Sequence, residues 1–255
     1  MTYRLRRLPA ERPIFLFLDY DGTLAAIRNT PREAGLSAAR RAVLRRLSRK
    51  MFVCIVSGRS LDDVKAMVRL ASVAAIGNHG LEIECGSRRW THPEARPVRA
   101  ELRRVLDKIG RRLDRLPGLI VEDKGLTGSV HYRRVPPAAW AEVETVVREE
   151  VGRSRSALRM TKGHRVHEIR PRVAWDKGRG VRYFLARLET GTRPLVVYIG
   201  DDETDEDAFR TLRRKGITIR VGGKGRTLAR YRLGTVREVW TLLRRLEKET
   251  IIRPS

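Results

Sequence analysis

The sequence predicts an α/β protein with a mostly parallel sheet that is interrupted by a smaller α+β region. Continuous apolar runs alternate with amphipathic helical stretches along most of the chain. The middle of the chain changes to alternating apolarity, which is typical of a sheet with one covered face. With 255 residues, of which 41% are hydrophobic, the chain can bury a substantial core.

Four strands are predicted from continuous apolar runs, as expected when both faces of a strand are buried. They are Ile14 to Leu18, Phe52 to Val56, Val73 to Ile76 and Leu195 to Ile199. Helices are predicted where apolar residues keep helical spacing. These stretches lie near Ser37 to Lys50, Leu61 to Leu70, Gly178 to Leu188, Thr204 to Lys215 and Val236 to Glu247. Such alternation gives a parallel sheet covered by helices on both faces.

The region from about Pro93 to Pro171 breaks this alternation, with the order helix, strand, strand, helix, strand, strand. In its segment "LTGSVHYR", residues 126–133, one face carries Leu, Gly, Val and Tyr and the other Thr, Ser, His and Arg. We therefore expect a sheet covered on one side, with its polar face toward water. The predicted domains are a core formed by 1–93 and 173–255 and an inserted α+β cap, 94–172.

Composition limits the partners that we expect. The chain has 55 Lys and Arg against 30 Asp and Glu, a formal charge of +25, which leaves a polyanion-binding role open. The basic residues recur on amphipathic helices, as on solvated helix faces, and no nucleic-acid-binding motif accompanies them, so a nucleic-acid partner is not expected. Two cysteines, no signal peptide and no apolar stretch of bilayer length favour a cytoplasmic protein without a membrane partner. We expect a monomer.

Two predicted strands end in aspartates, in "FLDYDGTL" (17–24) and "YIGDDETDEDAF" (198–209). Because ligands bind at the carboxyl ends of strands in such sheets, these carboxylates are expected to converge on one crevice. They are Asp19, Asp21, Asp201, Asp202 and Asp205. Mutual repulsion then favours a bound cation, and hard oxygen ligands favour Mg²⁺. The alternatives are a Thr204–Asp207 capping box and an Asp21-Gly22 turn.

Two further strand ends carry groups that suit an anion. "SGR" follows the second strand, so the Ser57 hydroxyl and neighbouring amides could hold phosphate oxygens, although Ser-Gly is also ordinary turn chemistry. Lys177 begins a predicted helix in "AWDKG", where the helix dipole disfavours a cation. The alternative is a solvated lysine that follows an Asp176 cap.

These motifs carry a family resemblance. "DYDGTL", "VSGR", "DKG" and "GDDETDEDAF" resemble the four successive motifs of the haloacid dehalogenase superfamily of phosphohydrolases, which implies a Rossmann-like parallel-sheet core with an inserted cap. More narrowly, "GNHGLE" (77–82), "VEDKGLTGSVHYR" (121–133) and "HEIRP" (167–171) are similar to the trehalose-6-phosphate phosphatase family. The match runs in order from about Phe15 to Phe209.

The resemblance implies an aspartyl-phosphate mechanism. Asp19 is then the nucleophile, Asp21 the general acid and base, and Ser57 and Lys177 hold the transferring phosphoryl oxygens. The Mg²⁺ ion implied by the resemblance binds Asp19, Asp201 and the backbone carbonyl of Asp21. Asp202 and Asp205 would complete or orient this shell.

Recognition of a sugar phosphate is assigned by the same resemblance to a larger set. It comprises Thr23, Gly58, Arg59, Asn78, His79, Gly80, Glu82, Glu122, Lys124, His164 and Glu168. His164 stands where the family has a lysine, so affinity could be lower there, or Lys162 could substitute. As alternatives, His79 could be only a turn residue, and Glu122 and Lys124 a surface pair.

Three functions follow from this sequence. The first is Mg²⁺-dependent hydrolysis of trehalose 6-phosphate. The second keeps the core chemistry but acts on another sugar phosphate, such as sucrose 6-phosphate or a glycosyl-phosphoglycerate. The third, prompted by the charge of +25, is binding of nucleic acid or another polyanion.

Overall fold

The computed structural model describes residues 12–27, 35–154, 157–163, 165–188 and 193–249. Its helices and strands are, in chain order, β1 (Ile14–Asp19), α1 (Ala38–Ser48), β2 (Phe52–Val56), α2 (Leu61–Val68), β3 (Ala74–Gly77), β4 (Glu82–Cys85), β5 (Arg88–Thr91), α3 (Arg99–Arg112), β6 (Ile120–Asp123), β7 (Gly128–His131), α4 (Trp140–Gly152), β8 (Leu158–Gly163), β9 (Val166–Pro171), α5 (Lys177–Leu185), β10 (Leu195–Gly200), α6 (Asp205–Leu212), β11 (Gly216–Val221), β12 (Tyr231–Leu233) and α7 (Val236–Glu249). None of the helices in these ranges is long and apolar enough to cross a membrane.

The chain divides into two compact units, one formed by residues 1–90 and 175–255 and the other by residues 91–174. We call them the core unit and the inserted unit. The predicted bounds of the inserted domain, 94–172, fall within the second unit, and its role as a cap stays a prediction.

An eight-stranded sheet has the order β12-β11-β10-β1-β2-β3-β4-β5. From β12 to β3 neighbouring strands are parallel, and β4 is antiparallel to β3. Every residue of β1 is buried, which explains its uninterrupted apolar sequence. All four predicted strands are present, and the predicted α/β class with a parallel sheet is confirmed.

Helices cover both faces of this sheet, as the continuous apolar runs predict. On one face Leu16 and Leu18 pack in a cluster with residues of α1, α2 and α7, including Trp240. On the other face Phe15 and Phe17 pack with residues of α5 and α6. Because side chains alternate along a strand, β1 contributes to both cores and is fixed between them.

The inserted unit has the predicted order of helices and strands. Its sheet has the order β6-β7-β9-β8, with every pair antiparallel. Helices α3 and α4 share a hydrophobic cluster with one face of the sheet, where Val130 and Ile169 are fully buried. A Cβ on Gly128 would lie 2.6 Å from the Leu106 side chain, so glycine permits the close approach of α3.

The second face of this sheet is polar, as predicted, but it differs from the expectation of an open face. Thr127 and Ser129 are both fully buried. Ser129 lies on an interior strand and donates to Glu168 of the neighbouring strand. Hydrogen bonds among the polar side chains therefore account for part of the burial of this face. The alternation of polar and apolar residues along the strand does not predict that burial.

Candidate active site

The loop after β1 places the first pair of predicted site residues at the carboxyl edge of the sheet. Asp19 is the last residue of β1 and is 4% exposed, and Asp21 follows it in a tight loop. Gly22 has a φ of +83°, and a Cβ there would lie 2.0 Å from Oδ2 of Asp201. Only glycine fits this position. Because it has no side chain, the loop after β1 can lie close to Asp201, which follows β10.

The turn after β10 is organised by Asp205 rather than by a threonine cap. Oδ2 of Asp205 accepts hydrogen bonds from the backbone N–H groups of Asp201 and Asp202, each at 3.0 Å. Thr204 has helical dihedral angles, and its side chain makes no capping hydrogen bond. The alternative of a Thr204–Asp207 capping box is therefore wrong. The buried carboxylate of Asp205 thus satisfies the backbone N–H groups of the turn and fixes its conformation.

Lys177 connects the two aspartate motifs. Asp176 caps α5 by accepting from the backbone N–H of Arg179 at 2.7 Å, which leaves Lys177 as the first helical residue. The lysine is 3% exposed, and its Nζ donates to Oδ1 of Asp19 and to Oδ1 of Asp205, each at 2.8 Å. The alternative of a solvated lysine is wrong, because two carboxylates compensate for its burial.

Tyr198 is a member of this cluster that the sequence analysis missed. Its hydroxyl donates to Oδ1 of Asp205 at 2.7 Å, and the side chain is fully buried. With Lys177 and the two backbone donors, Asp205 therefore accepts four hydrogen bonds. The available signal was a hydroxyl within an otherwise apolar strand, since a buried tyrosine usually needs a hydrogen-bond partner.

The cluster carries more negative charge than its lysine offsets. Burial, together with the charges of Asp205 and Asp201, raises the pKa of Asp19 well above its usual value, against the opposing effect of Lys177. Burial and Asp205 also raise the pKa of Asp201 to about 7. Burial disfavours the charged form of Lys177, but Asp19 and Asp205 outweigh it and raise the pKa of that amine. The ammonium is thus held charged in a site that is short of positive charge.

This chemistry fits a hard divalent cation. One oxygen from each of Asp19, Asp201 and Asp205 lies within 4.8 Å of the other two. Thr23 donates its hydroxyl to Oδ1 of Asp201 at 3.4 Å, which orients that carboxylate. Oxygen-only donors with excess negative charge suit Mg²⁺. Asp202 lies outside this group of three, and its Oδ1 accepts from the backbone N–H of Glu203 at 2.7 Å.

The Ser-Gly-Arg turn lies at the same edge of the sheet, because Asp19 pairs in register with the last residue of β2. Ser57 is 1% exposed, and its Oγ accepts from the backbone N–H of Arg59 at 3.2 Å. A Cβ on Gly58 would lie 2.4 Å from the ring of His79. Glycine is required where the imidazole packs on the turn.

His79 belongs to a backbone turn of unusual conformation. Asn78, His79 and Gly80 have φ values of 47°, 56° and 101°. For a residue other than glycine such a conformation costs about 1–3 kcal/mol. Asn78 donates to Oε2 of Glu82 at 2.6 Å, and the Gly80 carbonyl accepts from Nε1 of Trp175 at 2.7 Å. Glu82 therefore supports the turn that positions His79.

Two predicted site residues form an ion pair with each other. Nε of Arg59 donates to Oδ2 of Asp21 at 2.6 Å, and Nη2 donates to Oδ1 at 2.7 Å. The Arg59 side chain is 10% exposed and that of Asp21 is 38% exposed. The predicted general acid and a predicted sugar contact thus meet in a bidentate pair.

The inserted unit brings together a second set of predicted residues. Nζ of Lys124 lies 3.3 Å from both oxygens of Glu168, and Ser129 donates to Oε1 of Glu168 at 2.8 Å. Glu122 instead pairs with His131 at 2.9 Å. The alternative of a Glu122–Lys124 surface pair is wrong, since Lys124 is buried and contacts Glu168. The predicted contact His164 lies outside the described residues.

Comparison with known proteins gives a consistent result. A family model described as trehalose-phosphatase matches residues 17–234. A curated relative, the probable trehalose-phosphate phosphatase I of Arabidopsis thaliana, is 35% identical over an alignment of 260 positions, which covers 95% of this chain and 70% of the relative. Trehalose-phosphate phosphatase B of the same plant is 34% identical over 80% of this chain, which spans 58% of that relative.

Solved structures agree with this assignment. The structure of the C. albicans trehalose-6-phosphate phosphatase C-terminal domain is similar, with a TM-score of 0.78 and 25% identity over 93% of this chain and 92% of that one. A haloacid dehalogenase-like hydrolase from Bacteroides thetaiotaomicron shares the fold, with a TM-score of 0.66 and 17% identity over 92% of this chain and all of that one. The chain therefore belongs to the trehalose-phosphatase family, and it is a phosphatase.

Proposed function

We propose that this protein hydrolyses trehalose 6-phosphate to trehalose and phosphate through an aspartyl-phosphate formed on Asp19. Within the family, one observation carries the proposal: a buried lysine joins the aspartates of two motifs at the carboxyl edge of the sheet. This arrangement presents a nucleophile and a fixed cation to one incoming anion.

The reaction proceeds in two displacements. An oxygen of Asp19 bonds to phosphorus while the bond from phosphorus to the sugar oxygen breaks, and Asp21 donates a proton to that oxygen. Water then attacks phosphorus and gives a proton to Asp21, and the bond to Asp19 breaks to release phosphate. Lys177 and Ser57 hold the phosphoryl oxygens during both displacements.

Asp19, Asp201 and the Asp21 carbonyl would hold Mg²⁺. When bound, this ion neutralises phosphate charge that would otherwise repel the attacking carboxylate. Asp205 already accepts four hydrogen bonds from its own chain, which supports a role in orienting Lys177 and the Asp201–Asp202 turn. We assign Asp202, which lies outside the group of three carboxylates, to the same orienting role.

The polar face of the inserted unit supplies groups that suit a neutral disaccharide. Glu122, Lys124 and Glu168 offer donors and acceptors at fixed positions. Sugar hydroxyls both donate and accept hydrogen bonds, so such paired side chains can bind them without a large net charge. We assign His164 to the same set, where its imidazole would replace a lysine.

Cellular context extends this proposal. We infer a monomer in the cytoplasm that has a small sugar phosphate as its partner. Both cysteines, Cys54 and Cys85, are free thiols, which is consistent with a reducing compartment.

The decisive experiment is phosphate release from trehalose 6-phosphate, sucrose 6-phosphate and glucose 6-phosphate, with Mg²⁺ or with EDTA. We expect strong Mg²⁺-dependent release from the first substrate, and a loss of at least about 10⁴-fold in Asp19→Asn, because no covalent intermediate can form. Equal activity on all three substrates would keep the chemistry and contradict the sugar assignment. Activity in EDTA equal to that with Mg²⁺ would contradict the metal requirement.

A further inference from the structure

The bidentate pair between Arg59 and Asp21 gives the general acid and base a fixed orientation. Both oxygens of the Asp21 carboxylate accept from the same guanidinium, at 2.6 and 2.7 Å. Planar fork-to-fork contacts of this kind fix direction as well as distance. Each oxygen of Asp21 keeps a second lone pair, so one of them can meet a leaving-group oxygen or a water while Arg59 stays bound.

Arg59 itself is held from three sides. Its backbone N–H donates to Oγ of Ser57 at 3.2 Å, and its carbonyl accepts from the backbone N–H of Asn78 at 2.6 Å. Its guanidinium carbon lies 5.7 Å from the centre of the Tyr20 ring. These contacts come from three loops of the core unit. The two hydrogen bonds fix the backbone of Arg59, and the Tyr20 ring together with a side-chain exposure of only 10% restricts its guanidinium.

We propose that Arg59 is a positioning residue for Asp21. It directs the Asp21 carboxylate toward the leaving-group oxygen and stays hydrogen-bonded to that carboxylate during proton transfer. This role differs from the sugar contact that the family resemblance assigns to Arg59. The inference rests on the proposed function, since it concerns the acid and base step of that reaction. It predicts that a change at Arg59 acts through Asp21 and has little effect once Asp21 is lost.

The test compares Arg59→Lys, Asp21→Asn and the double variant in the full chain. Lysine keeps the positive charge but cannot make two parallel bonds to one carboxylate. Arg46→Lys is the matched control, because Arg46 makes a bidentate pair with Glu247 at the contact of α1 and α7. Two substrates are used with Mg²⁺, trehalose 6-phosphate and p-nitrophenyl phosphate. The second loses p-nitrophenolate, an anion that needs no proton donor to leave.

We expect Arg59→Lys to lower kcat for trehalose 6-phosphate by about tenfold, with KM within about threefold of the wild type, because a small displacement of a catalytic group is costly. In the Asp21→Asn background the same change should lower kcat by no more than about twofold. Single-turnover release of p-nitrophenol by Arg59→Lys should stay within about twofold of the wild type. Arg46→Lys should leave every value unchanged.

Two results would overturn the inference. A KM for trehalose 6-phosphate raised by about tenfold with kcat unchanged would identify Arg59 as a sugar contact. Slower single-turnover release of p-nitrophenol, by about tenfold, would identify it as a contact to the phosphoryl group. If Asp21→Asn has no measurable turnover of the sugar phosphate, these two comparisons decide alone. Failure of the proposed function is separate, since it appears as wild-type activity on p-nitrophenyl phosphate without activity on trehalose 6-phosphate.

Discussion

Each of the two units buries one lysine against carboxylates, and the two arrangements differ in charge. In the core unit Lys177 bridges Asp19 and Asp205, with Asp201 in the same group of oxygens, so one cation faces three carboxylates. In the inserted unit Lys124 pairs with the carboxylate of Glu168, which also accepts a hydrogen bond from Ser129. The first cluster lacks positive charge, and the second is balanced.

This difference indicates which part of a substrate each cluster suits. A site with unbalanced carboxylates needs a further cation, and the two together can then hold an anionic phosphoryl group. A balanced pair has no such need, and its donors and acceptors match neutral hydroxyl groups. Replacement of the two lysines should therefore have different effects. Replacement of Lys177 should lower kcat, and replacement of Lys124 should raise KM.

The largest effect is expected for Lys177→Met. The change removes the fixed cation from the phosphoryl site, so kcat should fall by about 10³-fold for trehalose 6-phosphate and for p-nitrophenyl phosphate alike. Asp19 and Asp205 are left without their partner, which should also lower the free energy of unfolding by about 3–5 kcal/mol. Steady-state kinetics and urea unfolding measure the two effects.

Lys65→Met is the matched control, because Lys65 is half exposed and pairs with Glu84 in the same unit. It should keep wild-type kinetics, since such a surface pair contributes about 0–1 kcal/mol. Retention of more than a tenth of the activity by folded Lys177→Met would contradict the role of the buried cation.

A smaller and more selective effect is expected for Lys124→Met. Glu168 would lose the ammonium that faces it, so KM for trehalose 6-phosphate should rise by about 30-fold, or about 2 kcal/mol. Turnover of p-nitrophenyl phosphate, which has no sugar, should not change. Lys108→Met, an exposed position of α3, is the control. If both substrates lost activity equally, the inserted unit would contribute to more than sugar recognition.

Much of the core site could be predicted because its signals lie along the chain. The four predicted strands are continuous apolar runs, and the aspartates that follow β1 and β10 stand next to these runs. The parallel arrangement then brings the strand ends together. Strands β4, β5 and β12 were not predicted. They lie at the two edges of the sheet, and each is short and contains polar residues. Strand β11 was also not predicted, because its sequence "GITIRV" is not a continuous apolar run and includes Arg220.

The pairings within the site were harder to predict. The Arg59–Asp21 pair joins residues 38 positions apart, and its partners depend on how the loops after β1 and β2 are placed. The sequence placed Lys124 in the sugar site and offered Glu122, two positions away, only as an alternative partner. Its partner in the structure, Glu168, comes from a strand that is not adjacent in sequence. Residue types at strand ends indicate a site, whereas side-chain partners follow from sheet order and register.

Tyr198→Phe should have a smaller effect than either lysine change. It removes one of two side-chain donors to Oδ1 of Asp205 and leaves the ring packing intact. We expect kcat to fall by about three- to tenfold and the free energy of unfolding by about 1–2 kcal/mol, the cost of one buried hydrogen bond to a charged group. Tyr231→Phe, on β12, is the control. An unchanged kcat would mean that Lys177 holds Asp205 without help.

The smallest effect concerns the link between metal binding and pH. The pKa of Asp201 is raised to about 7 in the folded, metal-free protein. Its carboxyl group therefore stays protonated at pH values where the same group in the unfolded chain has already lost its proton. The stability that this proton contributes is lost as pH rises toward about 7, because the folded state binds more protons than the unfolded one. Mg²⁺ binds the ionised carboxylate, so its binding competes with that proton below this pH.

The increase in Tm caused by Mg²⁺, relative to EDTA, should therefore be greater at pH 8 than at pH 6. A tenfold gain in affinity corresponds to about 1.4 kcal/mol, or roughly 3–5 °C for a chain of this size. In Asp201→Asn the increase should be small at both pH values. Asp207→Asn, which alters an exposed pair with Arg210, should behave as the wild type. An equal increase at both pH values in the wild type would show that the proton on Asp201 does not compete with the metal, and the core cluster would then hold its cation without giving up a proton.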